Sequence, residues 1–357
     1  MKPYGYARQL VAVLAVALSL AWVVGLSQIV IPYALEAGVP DTRSGERQAS
    51  TSNPQNSLEA SSEDGSELPD GRSHAEGDPP RYSIAPVEDR EDELPGERQL
   101  HALAEAYPDR IEEIAVREGQ WAARIDGAWY YFAEGRMLPR ELLEEYNEFT
   151  GVRLYRYRTG PPELPEIDDE RAEQLRRRTR EREADPPVRH NGFLDALYGV
   201  GSARNADQKM ERIRFLGLST RVHPMVVEPL ERVEAEIREA MEADAGVRRF
   251  VESLGSAGGY AWREIAGTAS RSYHSYGIAI DLIPRSYQGN FGYWRWAMQA
   301  GIENWWDVPF ERRWGVPQPV VDAFERHEFI WGGKWLFFDP IHFEYRPELF
   351  ILSGYRE

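Results

Sequence analysis

The sequence contains no cysteine, which excludes a disulfide framework and every thiolate metal site. Any metal chemistry must therefore use imidazole and carboxylate, and histidine is itself scarce, with 7 in 357 residues. Basic residues fall short of acidic ones, 42 Lys and Arg against 59 Asp and Glu. The resulting formal charge of -17 argues against nucleic acid as a partner. A repeat of βαβ units is also missing. The length suits one or two domains, and the mixture of helical and strand patterns predicts an α+β fold.

Charged side chains are absent between Arg8 and Glu36, a run long enough to span roughly 30 Å of hydrocarbon as a helix and longer than the core of a usual signal peptide. Lys2 and Arg8 precede it, and Glu36 and Asp41 follow, so the positive-inside rule places the N-terminus in the cytoplasm. Residues 1–37 thus read as a membrane anchor. A cleaved signal peptide is the rival, with Ala34 and Ala37 as small residues near a cleavage site. Either reading exports the rest, so the expected location is membrane-anchored and extracytoplasmic, in the periplasm or cell envelope. Residues 38–98 lack periodic apolar positions and are rich in Ser, Glu, Asp, Pro and Gly, the composition of a disordered acidic linker.

Order is expected to resume in residues 99–189, a small hairpin-containing region and charged connector. "LHALAEAYPDRIEEIAVREG" opens with a helical pattern. Asp126-Gly127 between two aromatic-rich runs signals a hairpin, and "RELLEEYNEFTGVRLYRY" reads as a helix ending at Gly151, then an extended segment. "ERAEQLRRRTRERE", between proline pairs, reads as an exposed connector helix rather than a binding site. Residues 190–357 are denser in apolar residues. Val226, Leu230, Val233, Ile237 and Met241 form a helical stripe with Gly246 beyond its end. "GIAIDLI" and "IHFEYR" alternate as strands do.

Within this last region "SYHSYGIAID" places His274 seven residues before Asp281. His342 in "FDPIHFEYRPEL" is the best third partner, and Asp339 lies three residues before it. Two imidazoles and one carboxylate leave the fourth position of a tetrahedral zinc open, as a catalytic site requires. A neighbouring carboxylate can take the proton of an activated water. If Gly277, Ala279 and Asp281 share a strand face, the two small residues leave room for ion and substrate. Pro340 cannot donate to a sheet ladder, which places Asp339 at a strand mouth and His342 inside the strand.

S-x-H-x-x-G-x-A-x-D followed by D-x-x-H-F-E resembles the D-alanyl-D-alanine carboxypeptidase family of zinc peptidases, which includes vancomycin-resistance-type carboxypeptidases and L-alanyl-D-glutamate endolysins. The similarity spans roughly residues 210 to 350. The resemblance implies a small antiparallel sheet with flanking helices carrying a zinc site, with His274, Asp281 and His342 as ligands and Asp339 as catalytic base. Many carboxypeptidase members have glutamate at the base position, whereas aspartate there resembles the endolysin branch. Arg263 matches an upstream arginine that binds or polarises substrate in this family, and a guanidinium suits a carboxylate or an oxyanion. Arg271 competes for that role.

Other residues have blander readings. Glu344 stays outside the catalytic set, as either a salt-bridging group behind the ligands or a surface strand residue, and His223 and His327 read as structural. Of Trp294, Trp296, Trp305, Trp306, Trp314, Trp331 and Trp335, most should be core, with only the pair in "WGGKW" close to the site. Gly332 and Gly333 allow a close backbone approach or a tight turn. Residues 100–160 suggest no function. The expected activity is zinc-dependent hydrolysis of the peptidoglycan stem peptide at its terminal D-alanyl-D-alanine bond. L-alanyl-D-glutamate endopeptidase activity is the second reading, and a non-catalytic zinc-containing wall-binding module the third. The expected partners are the stem peptide and, through the N-terminal segment, the cytoplasmic membrane.

Overall fold

A computed structural model describes residues 84–85 and 94–355, apart from 187 and 267. The expected membrane anchor and most of the acidic linker lie outside the described residues. Among the described residues no helix is long and apolar enough to cross a membrane.

Helix α1 (Glu97–Ala106) buries Leu100 and Leu103 on one face and leads into a meander of β1 (Glu113–Arg117), β2 (Gln120–Ile125), β3 (Ala128–Ala133) and β4 (Arg136–Leu138), all antiparallel. Asp126-Gly127 makes the expected hairpin turn, with both residues at positive φ, 49° and 75°, because only the primed turns match the twist of the flanking strands. Glu118-Gly119 and Glu134-Gly135 make the same turn with φ of 51°, 81°, 47° and 82°. The helix expected here is a 3-10 helix over residues 140–148, with non-helical backbone at Glu145 and no buried residue, and it ends at Phe149 rather than at Gly151.

Helix α2 (Asp169–Ala184) is the expected charged connector, yet it is not solvated all round. Ala172, Leu175 and Thr179 are buried, and the first two join Trp294, Trp305, Trp306 and Phe338 in one apolar cluster. Arg176 donates to Asn304 Oδ1 at 2.9 Å. The reason is spacing: positions 172, 175 and 179 fall on one helical stripe even in so polar a sequence.

A hairpin of β5 (Glu211–Phe215) and β6 (Leu218–Val222) precedes α3 (Val227–Ala243), whose Leu230, Val233 and Ile237 are buried as the periodicity predicts. Gly246 does not close that helix. Asp244 ends it and its side chain caps the next one, α4 (Ala245–Ser253), by accepting from Gly246 N at 2.6 Å. After β7 (Leu254–Gly258) and β8 (Ala279–Pro284) come α5 (Gln318–Arg326), β9 (Phe329–Trp331), β10 (His342–Tyr345) and α6 (Pro347–Leu352). The central sheet has the order β9-β10-β8-β7, every pair antiparallel.

Alternation along this sheet separates core from chemistry. Ile280, Leu282 and Phe343 are buried on one face, where Phe324 of α5 stacks on Phe343 with centroids 3.9 Å apart. Ala279, Asp281, His342 and Glu344 take the other face. The register pairs Asp281 with His342, Ile280 with Phe343 and Ala279 with Glu344, so like meets like. A slip of one residue would send the aromatic to the cavity and the imidazole to the core. The apolar side continues without a break into Leu100, Ile125, Phe193 and Val233, so residues from α1 to β10 share one core.

Candidate metal centre

The decapeptide supplies its own scaffold. Ser272 opens a 3-10 turn over Tyr273–Tyr276 by accepting from His274 N at 3.3 Å, and Gly277 closes it in the left-handed region at φ 68°. A Cβ on Gly277 would overlap Met210 Sδ and come within 2.7 Å of His223 N. Gly277 is therefore small for the turn and its packing, not to make room for an ion, and it lies before the strand rather than in it. Ala279 does sit on the site face, opposite Glu344. His274 enters from the turn, and His342 is the first residue of β10. Asp339 lies in the loop before it, where its backbone N–H bonds to Gly332 O at 3.0 Å. A Cβ on Gly332 would stand 2.5 Å from Asp339 O, so this glycine is what lets the Asp339 loop approach.

The three expected ligands converge. His274 Nε2 lies 3.1 Å from His342 Nδ1 and 3.2 Å from Asp281 Oδ1, and His342 Nδ1 lies 2.7 Å from the same oxygen. Among the described residues this is the one histidine and carboxylate group able to hold a metal ion. The ring orientations are set from behind. His274 Nδ1 lies 2.6 Å from Gly259 O and His342 Nε2 lies 3.0 Å from Glu344 Oε1. If those outer nitrogens donate, the inner two face each other and Asp281 as lone pairs, and only a proton or a cation between them makes the cluster stable. Tetrahedral zinc with bonds of about 2.0–2.1 Å holds its donors roughly 3.4 Å apart, close to the separations found here. The donor set thus fits zinc.

Electrostatics follow from the same contacts. Burial pushes the Asp281 carboxyl up, but the attraction of His274 and the hydrogen bonds of both imidazoles outweigh it and hold the group well below the usual carboxylate range. Burial pushes His342 down, and its bonds to Asp281 and Glu344 override this and raise it. Asp339 is pushed up to about 7, first by burial and then by the neighbouring Asp281 charge, against the pull of His342 and Arg263. Its Oδ1 is closed off from solvent and has no hydrogen-bond partner.

Asp281, Asp339, His342 and Glu344 line one cavity of about 280 Å³ together with Arg263. Arg271 takes no part in it: its guanidinium pairs with Asp195, contacts Tyr276 Oη at 3.4 Å and stacks on Trp262. Trp335 lines the cavity, its ring 5.6 Å from that of His342. Its sequence neighbour Trp331 is core, with Nε1 donating to Pro340 O at 2.8 Å and so fixing the loop between the two motifs. Trp294 and Trp296 also reach the cavity, whereas Trp305, Trp306 and Trp314 are buried elsewhere. His223 and His327 are structural, bonded to Tyr198 O at 3.0 Å and Glu236 Oε1 at 2.8 Å.

Three cavity arginines were not singled out from the sequence: Arg153, Arg182 and Arg295. A signal for Arg182 existed, since it continues the buried stripe of Ala172, Leu175 and Thr179. Glu344 too was legible, two residues after His342 in a strand and hence on its face. It is the acceptor that orients His342, not a surface residue.

Three convergent side chains able to hold a metal, with a carboxylate and a cavity beside them, make an arrangement of the metallopeptidase type. Residues 266–345 match the family described as D-alanyl-D-alanine carboxypeptidase, the family that the motifs of this segment resemble. Residues 99–152 match a domain of unknown function, DUF8518. No curated protein and no solved structure matches the chain.

Proposed function

We propose that the protein is a zinc-dependent peptidoglycan peptidase that hydrolyses the terminal D-alanyl-D-alanine bond of the stem peptide. It would act outside the cytoplasmic membrane, held there by its N-terminal segment. The observation that carries the catalytic reading is Asp339 Oδ1, a buried carboxylate oxygen with no partner on the wall of the cavity that His342 and Asp281 line. A turn former before proline has no use for such an atom, because leaving it unpaired costs about 1–3 kcal/mol. A general base does.

His274, Asp281 and His342 would hold the metal. When bound, zinc supplies Lewis acidity, polarising the scissile carbonyl and making water a stronger nucleophile. Asp339 accepts the proton of the attacking water and returns it to the leaving amine. With a carboxyl held near neutrality, either transfer is cheap. A cation at the triad lowers Asp339 by Coulomb attraction and so favours its base form at neutral pH. Arg263, exposed on the rim of the same cavity, meets the substrate carboxylate or the developing oxyanion. Glu344 accepts from His342 Nε2, fixing the tautomer that leaves Nδ1 free to bind metal.

Aspartate at the base position supports cleavage between L-alanine and D-glutamate as a second reading. Digestion of purified wall fragments by the full chain, with the released products identified by mass, separates the readings. Free D-alanine is the expected product. A cut after the first L-alanine establishes the endopeptidase, and no product from zinc-loaded protein leaves a binding module.

A further inference from the structure

The carboxylate behind His342 is itself held from behind. Glu344 Oε1 lies 3.0 Å from His342 Nε2, and its Oε2 lies 3.5 Å from Arg346 Nη1. Arg346 stands at the joint between β10 and α6 and is 2 % exposed. Its guanidinium is occupied at every nitrogen. Nε donates to Glu348 Oε1 at 2.5 Å, Nη1 to Tyr273 Oη at 3.2 Å, and Nη2 to the carbonyls of Val152 and Arg153 at 3.3 and 3.2 Å. A planar fork engaged by fixed acceptors on all sides has one position, and that position fixes Glu344.

Two holds on this arginine come from residues 99–152, the segment that matches a domain of unknown function. The first is the Val152 carbonyl, which also accepts from Tyr273 Oη at 3.3 Å. The second is Tyr107, the residue after α1, whose hydroxyl donates to Glu348 Oε2 at 2.9 Å and so fixes the carboxylate that engages Arg346 Nε. Glu348, in the first turn of α6, is 2 % exposed. Within the network the charges of Glu344 and Glu348 are offset by Arg346 and by Arg153, whose attraction Glu344 also feels. Removing one member of such a buried network leaves its neighbours underpaired and free to shift. A series of contacts therefore runs from Tyr107 through Glu348, Arg346 and Glu344 to the imidazole of His342.

We propose that residues 99–152 are a positioning module for the metal centre, in which Tyr107, through Glu348, and the Val152 carbonyl hold Arg346, and Arg346 holds Glu344 against His342. Tyr107 and Arg346 are then positioning residues that raise zinc affinity without touching the ion. The inference rests on the metal-centre reading. It gives the matched domain a task at a site to which it contributes no ligand.

The test is zinc affinity of the full chain by competitive chelator titration. Tyr107→Phe keeps the ring and removes only the hydroxyl, and it should weaken zinc binding about 3- to 10-fold, less than loss of a direct partner of a ligand. In a Glu344→Gln background the same change should cost less than about twofold, because the link to His342 is already cut. Ile125→Ala is the control for stability alone: it empties a buried position on β2 of the same module. It should lower the urea midpoint at least as far as Tyr107→Phe does, yet leave zinc affinity within about twofold of wild type. Tight zinc binding in wild type with no change in Tyr107→Phe overturns the positioning role and leaves the metal centre standing. Additive losses in the double variant, or an equal loss of affinity in Ile125→Ala, also overturn it. A wild type that binds no zinc overturns the metal-centre reading and this inference together.

Discussion

Replacing Asp339 by Asn keeps size and shape and removes the charge and the basicity, so the two roles of this residue can be read separately. In metal-free protein the carboxyl rises from an ordinary 3.8 to about 7 on folding, chiefly through burial and then the Asp281 charge. A carboxyl whose folded pKa is raised costs nothing below pH 3.8, where it is protonated in both states, and its penalty grows as pH rises from there to 7. The full penalty, at most roughly 4 kcal/mol, applies above that range. Asp339→Asn should therefore be more stable than wild type in chelator-treated protein at pH 8, with the advantage vanishing near pH 4, as urea denaturation at the two pH values would read. In the zinc-loaded protein the same variant should keep its metal while turnover falls on the order of 10²- to 10⁴-fold, the contribution of a positioned general base. That loss corresponds to about 3 to 5 kcal/mol of transition-state stabilisation. Turnover near the wild-type rate would reduce Asp339 to a turn residue. Loss of zinc from the variant would make it a ligand and leave the base unassigned.

Glu344→Gln weakens the acceptor behind His342, and zinc affinity in competitive chelator titrations should fall about 10- to 100-fold, as it does when such an orienting carboxylate is removed; unchanged affinity would show that Glu344 serves only Arg346, whose Nη1 lies 3.5 Å from its Oε2. Gly277→Ala drives a methyl into Met210 and the His223 backbone at a left-handed position. It should cost on the order of 2 kcal/mol or more by denaturant titration, and a cost within about 0.5 kcal/mol, typical of a surface change, would refute the packing account.

What the sequence made legible was local and periodic. The Ser272, His274 and Gly277 spacing is one 3-10 turn with its cap and its left-handed stop, and the Asp281 and His342 alternation is one antiparallel register, so motif and geometry coincide there. The stripe from Val226 to Ile237 named a helix for the same reason. Gly246 does lie beyond its end at Ala243, but in the first turn of a following helix capped by Asp244, which the stripe did not announce. The turns at Glu118-Gly119 and Glu134-Gly135 lacked the Asp or Asn that usually marks them, although the glycine alone carried the positive φ. The helical stripe showed which face of its helix Arg182 shares, but that this face and Arg153 meet the cavity was out of reach for another reason. Their place at the cavity depends on how residues 150–184 pack against a tryptophan cluster and a buried Arg346 more than 100 residues away, and no local pattern encodes a contact of that range.

The proposed centre needs three side chains sharing one ion, and metal content tests it most directly. Full-length wild type purified with zinc and dialysed should carry one zinc per chain by mass spectrometry of its metal content. His274→Ala, Asp281→Ala and His342→Ala should each lower that stoichiometry sharply, while His223→Ala and His327→Ala, whose imidazoles bond to Tyr198 and Glu236, should leave it unchanged. Full zinc occupancy in His342→Ala would contradict the assignment of the centre and, with it, the peptidase reading built on that centre.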